Sequence, residues 1–140
     1  MAPLHVAYRP ENRQTPTQAS SLHAPQERLQ WSNIEYPYTI TVETITIDSW
    51  ATQNNIAYLD LLWLDLQGHE LTALQGAQQM LKKVKVVYTE VNFVHAYKNQ
   101  QLYTEIDDWM LTQYFVPIAK DFADTAPRFF GNMLFIQKES

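Results

Sequence analysis

The sequence predicts an α/β fold, a mostly parallel sheet with flanking helices and a last strand that runs antiparallel. Three observations carry this. Runs of β-branched and apolar residues alternate with stretches of helical period, in the order strand, helix, strand, helix, strand, strand. The run Leu59 to Leu64 is short and nearly continuously apolar, as expected of a strand covered on both faces. Finally, 140 residues with 46% hydrophobic and 13% aromatic content suffice for one packed core and are too few for two domains.

Residues 1–38 stand apart. Pro3, Pro10, Pro16, Pro25 and Pro37 punctuate a segment rich in Gln, Ser and Thr, with no sustained period of 2 or 3.6. Such composition predicts coil or a loosely docked segment, with a helical turn near residues 26–31. The domain proper is expected over residues 39–140. It opens with Thr39 to Ile47, a β-branched run with period-2 alternation that reads as a strand. Asp48 and Ser49 are candidate caps for a short helix reaching Asn54. After the strand 59–64, residues 69–82 place Leu71, Leu74, Ala77 and Leu81 on one helical face, with Gly76 as a weak point. Lys82, Lys83 and Lys85 fall where positive charge complements a helix C-terminus. Val84 to Val91 is the next strand. Leu102, Ile106, Trp109 and Met110 form the stripe of a helix over 101–113, and strands are expected at 115–119 and 133–137.

Several function classes are disfavoured. A net charge of -5 with no Lys/Arg run argues against nucleic-acid binding. The absence of cysteine removes disulfides, thiolate metal sites and a thiol nucleophile. No basic-then-apolar leader opens the chain, and the longest apolar run is broken by Asp60 and Asp65. The expectation is a cytoplasmic protein without a membrane span.

The most informative stretch is Leu62-Trp63-Leu64-Asp65-Leu66-Gln67-Gly68-His69-Glu70. A buried strand ends in Asp65, turns through Gln67-Gly68 and enters a helix, and in open parallel sheets ligands bind beyond the carboxyl ends of strands. A second carboxylate, Glu90, closes the neighbouring strand. Two adjacent parallel strands ending in acids would place both on one rim, able to orient a hydroxyl, act as a base or bind a metal, for which two oxygens rarely suffice without a third. Capping and solvated strand-end charge explain the same residues without any chemistry. No metal site is expected: His69-Glu70 lacks a second histidine at position 73, and His5, His23 and His95 have no ligand spacing. Only Gly68, Gly76 and Gly131 occur, so neither a dinucleotide fingerprint nor a P-loop can be written.

Ile45-Thr46-Ile47-Asp48-Ser49-Trp50, the Asp65-Leu66-Gln67-Gly68-His69-Glu70 core, Leu74-Gln75-Gly76-Ala77 and Tyr88-Thr89-Glu90-Val91 resemble FkbM-type methyltransferases in order and spacing, over roughly residues 20–135. The resemblance implies the C-terminal half of a Rossmann-like class I methyltransferase sheet. Its cofactor would be S-adenosylmethionine, and its acceptor a hydroxyl on a sugar or natural product. It implies catalytic roles for Asp65 and Glu90, cofactor contacts from Asp65, Gln67 and Gly68, and an acceptor side including Glu70 and Asn92, with Glu70 also fixing the start of the helix. The family's glycine-rich strand-turn-helix is not written in these residues. The expectation is therefore a truncated enzyme, or one completed by a partner or a second copy. The other reading is a non-catalytic α/β binding module or pseudoenzyme using the Asp65/Glu90 rim.

Overall fold

Ordered structure begins earlier in the chain than composition suggests. In the computed structural model, which describes residues 1–123 and 129–138, Ala2–Tyr8 (β1) pairs antiparallel with Glu35–Val42 (β2). The coil expected over residues 1–38 is thus corrected at both ends. Local composition misleads here because order comes from distant partners: Ala7 N–H donates to Ser20 Oγ, and His5 and Ser21 exchange backbone hydrogen bonds. Val6, Ala7 and Tyr8 are buried. A single turn, Arg28–Trp31 (α1), lies in the window expected to be helical.

The strand expected to reach Ile47 stops at Val42, and Ile47–Gln53 forms α2. Its cap is Thr46, whose Oγ1 accepts from Ser49 N–H at 3.1 Å, rather than Asp48 or Ser49. Asp48 instead reaches across to accept from the backbone of Gln79 and Met80 at 2.9 and 2.8 Å. After Leu59–Leu64 (β3), the helix expected over 69–82 is split into Glu70–Gln75 (α3) and Gln78–Leu81 (α4). The break falls at Gly76, where a Cβ would lie 3.2 Å from Thr46 Cβ and whose carbonyl accepts from Asp48 N–H. A side chain there would crowd the start of α2, which would have to give by a few tenths of an ångström. Val84–Asn92 (β4), Tyr103–Thr112 (α5), Phe115–Lys120 (β5) and Phe130–Gln137 (β6) complete the described chain.

These last strands form a four-stranded sheet in the order β3-β4-β6-β5. β3 and β4 are parallel, and β6 is inserted antiparallel to both of its neighbours. Three strands therefore share a direction and the last is reversed, although only one pairing is a parallel ladder. Along β4, Val87, Thr89 and Val91 face a core built with Leu74, Leu81, Ile106, Met110 and Phe135. Val86, Tyr88 and Glu90 face the other way and are half-buried. The expectation that β3 is covered on both faces is corrected: Leu61 is 50% and Trp63 68% exposed. No described layer covers that side of the sheet. Among the described residues no helix is long and apolar enough to cross a membrane.

Candidate functional site

Leu64 pairs with Thr89 in the parallel β3–β4 ladder, so the residues that follow each leave from the same end of the sheet. Asp65, Glu70 and Glu90 each bring a carboxylate oxygen within 4.8 Å of the others. The first and third come from adjacent strands, and the second folds back from the start of α3.

The turn between them is built on two consecutive left-handed residues, Gln67 at φ 51° and Gly68 at φ 97°. A side chain at Gly68 would be strained by that backbone, and its Cβ would stand 3.0 Å from Tyr97 Cδ2 and 3.2 Å from Gln100 Cδ. The turn aims Leu66 N–H and Gly68 N–H inward, where the Glu70 carboxylate accepts them at 2.8 and 3.1 Å. Glu70 is 2% exposed; burial raises its pKa, while those backbone donors and its own N–H pull it back. It is thus a brace for the turn.

Gln67 carries the next layer of order. Its Nε2 donates to Asp65 Oδ1 at 2.7 Å, its Oε1 accepts from Tyr97 OH at 3.0 Å, and its carbonyl accepts from Ser21 Oγ at 2.6 Å. Tyr36 OH lies 3.2 Å from Tyr97 OH and donates to Ala19 carbonyl at 3.1 Å. Burial, before any neighbour, pushes the Tyr97 hydroxyl up, so it holds its proton and can donate it. His69 Nδ1 meets His23 Nε2 at 3.0 Å, and burial lowers the pKa of both rings. Residues 19–23 therefore strap the Gln67-Gly68-His69 turn in place.

Glu90 stands differently from Asp65. Desolvation, followed by the negative charges of Glu70 and Asp65, pushes its carboxyl up to about 7, against the Asn92 amide at 3.4 Å and the Arg28 charge. Asn92 itself is buried, 4% exposed. The Arg28 guanidinium stacks over Trp31 at 4.8 Å and lies 5.9 Å from the Tyr97 ring. Both oxygens of Glu70 face backbone N–H groups, which leaves Asp65 and Glu90 to offer a cation, fewer oxygens than such ions take.

Two cavities meet at this turn. The larger, about 590 Å³, is walled mainly by apolar groups including Ile45, Trp50, Leu62 and Leu64. The smaller, about 220 Å³, is bounded by Asp65, Gln67 and His69 on one side and by residues of the 18–22 strap on the other. Leu22, Leu66 and His69 border both.

Of the six expected site residues, Glu90 and Asn92 lie on β4, Asp65 follows the end of β3, Gln67 and Gly68 form the turn after it, and Glu70 opens α3. Sequence reading missed Ser21, His23, Arg28 and Tyr97. No periodicity or spacing ties them to the motif, because their contacts span 46, 46 and 30 residues for Ser21–Gln67, His23–His69 and Tyr97–Gln67.

No solved structure matches the chain. Among curated proteins it is similar to the 2-O-methyltransferase NoeI of Sinorhizobium fredii (strain NBRC 101917 / NGR234), 33% identical over 88 residues. That match covers 61% of this chain and 33% of the relative, so the chain spans about a third of the length of the curated relative it matches. The sequence model of the Methyltransferase FkbM domain matches residues 4–117, which takes in the N-terminal strap, the Asp65–Glu70 turn and Glu90 together. The chain belongs to the FkbM methyltransferase domain family.

Proposed function

We propose that this chain supplies the acceptor-side part of an S-adenosylmethionine-dependent O-methyltransferase, acting on a hydroxyl of a sugar or natural product. The observation that carries the reading is the pairing of Asp65 and Glu90 at one end of the parallel β3–β4 ladder, above a preorganised turn. The relative's name, a 2-O-methyltransferase, agrees with a hydroxyl acceptor. In this reading the sheet is the second half of a Rossmann-like one. The apolar face bearing Leu61 and Trp63 meets a further layer or a second copy.

S-adenosylmethionine, when bound, offers a methyl group on a sulfonium, poised for displacement. The residues present fit its methionine end: Asp65 and Glu90 supply negative charge for an ammonium and a sulfonium, and Gly68 leaves room beside them. With three glycines in all, these residues write no seat for its nucleoside, which further polypeptide or a partner would provide. Asp65, held by Gln67, orients the acceptor hydroxyl through its other oxygen. Glu90 is placed to take the proton of an acceptor hydroxyl, and a carboxyl near 7 is well matched to that task at neutral pH. Most of the rate would come from alignment, as for any transfer between two bound partners.

Calorimetric titration with S-adenosylmethionine tests this, on the chain alone and on the chain joined to the N-terminal part of the NoeI relative. Binding that appears or strengthens in the joined protein, and is lost in Asp65→Asn, supports the reading. A folded joined protein that binds no S-adenosylmethionine removes it. A second reading, a non-catalytic binding module using the Asp65/Glu90 rim, is favoured by the missing glycine-rich turn. It expects ligand binding at that rim with no response to the cofactor.

A further inference from the structure

The small cavity of about 220 Å³ is walled by the Asp65–His69 turn on one side and by the N-terminal segment, Leu4 and the 18–22 strap, on the other. We infer that it is a subsite for a single neutral, hydroxylated ring, a monosaccharide-sized unit of the acceptor, with the strap residues Gln18 and Leu22 setting what fits. The inference rests on the methyltransferase reading for the purpose of the site, and on geometry alone for its contents.

Size is the first argument. The volume lies below the roughly 300–1,000 Å³ of pockets that take drug-sized ligands, which suits a single ring. Chemistry is the second. Asp65 has one oxygen engaged by Gln67 Nε2 and the other left to accept from a hydroxyl. Leu4, Leu22 and Leu66 give the C–H face of a ring apolar walls. The Gln18 side chain, exposed and without a hydrogen bond among the described residues, can turn to an equatorial oxygen.

Charge is the third. No Lys or Arg lines the cavity, while Asp65 stands within 4.8 Å of two further carboxylates. An anionic ring, a phosphate or a sulfate would be repelled rather than held. Rigidity is the fourth. Ser21–Gln67, Tyr97–Gln67 and His23–His69 bind the two walls to each other, so the ligand does not have to order them.

Saturation-transfer NMR on the whole chain tests this, using methyl glycosides of glucose, galactose, mannose, fucose and N-acetylglucosamine, with glucuronic acid as the anionic probe. At least one neutral glycoside is expected to bind, and glucuronic acid not to. Leu22→Trp, which fills the cavity from the strap, should weaken that glycoside about tenfold or more. Gln18→Trp, at an exposed position, does the same where Leu22→Trp fails to fold. Binding by none of the glycosides, equal binding in both variants, or equal binding of glucuronic acid overturns the inference. Calorimetry with S-adenosylmethionine on the joined protein separates the two claims: glycoside binding to the chain with no cofactor response in the joined protein keeps the cavity and removes the methyltransferase reading.

Discussion

On one face of the four-stranded sheet, Val87, Thr89, Val91 and Phe135 have no exposed surface at all. On the other, Trp63 keeps 68% of its surface and Leu61 50%. Both faces are built of apolar and β-branched residues, and Val86 and Tyr88 on the open side differ little in kind from Val87 and Val91 on the closed one. Strand pattern therefore reports that a residue sits on a pleated surface and does not report whether a layer covers that surface. The comparison has a functional side too. Glu90 is on the open face, at its carboxyl end, which is why it is largely desolvated by the rim yet still within reach of a ligand.

Substitution is expected to have its largest effect on the closed face. Phe135→Ala should destabilise the fold by about 3–5 kcal/mol, the usual cost of removing a buried aromatic ring, measured by urea unfolding. A loss below about 1 kcal/mol would mean that face is not the core.

At the boundary between the faces the effect should be smaller and depend on pH. The Glu90 carboxyl is held above its unfolded value, so the folded state keeps a proton there that the unfolded chain gives up. Stability from this group is present below the unfolded pKa and falls as pH rises from about 4.5 to about 7, after which it is level. Glu90→Gln, which cannot ionise, should thus gain about 2 kcal/mol relative to the parent between pH 5 and pH 8, after allowance for partial solvent access. Thermal melts at the two pH values check it, and a parent whose stability is flat across that window would refute the assignment.

The smallest effect is expected on the open face. Trp63→Thr should change stability by no more than about 0.5 kcal/mol, while reducing self-association in sedimentation velocity. A penalty comparable to that of Phe135→Ala would show that the face is covered in solution, and the contrast between the two sides would vanish.

Much of the four-stranded sheet was legible because its signals are local. Leu59–Leu64, Val84 onward and the stripe through Ile106 and Met110 announce themselves by period. The split of the helix at Gly76 was visible only as a weakness, since the cause is the close approach of Thr46 thirty residues earlier. The Asp65–Glu70 turn was legible as well, because Gln67-Gly68 must turn and a first-turn carboxylate braces it. What held that turn from outside was not, because Ser21, His23 and Tyr97 carry no mark of their distant partners.

Sequence alone determined the strands of the four-stranded sheet and the helix before β5, and set Asp65 and Glu90 at the ends of neighbouring strands, because hydrophobic period and turn chemistry act over a few residues. Tertiary structure alone decided that the proline-rich N-terminal segment forms β1 and then straps the motif, and that one face of the sheet is closed while its twin lies open. Those outcomes depend on which surfaces meet across tens of residues, and no local pattern encodes a meeting.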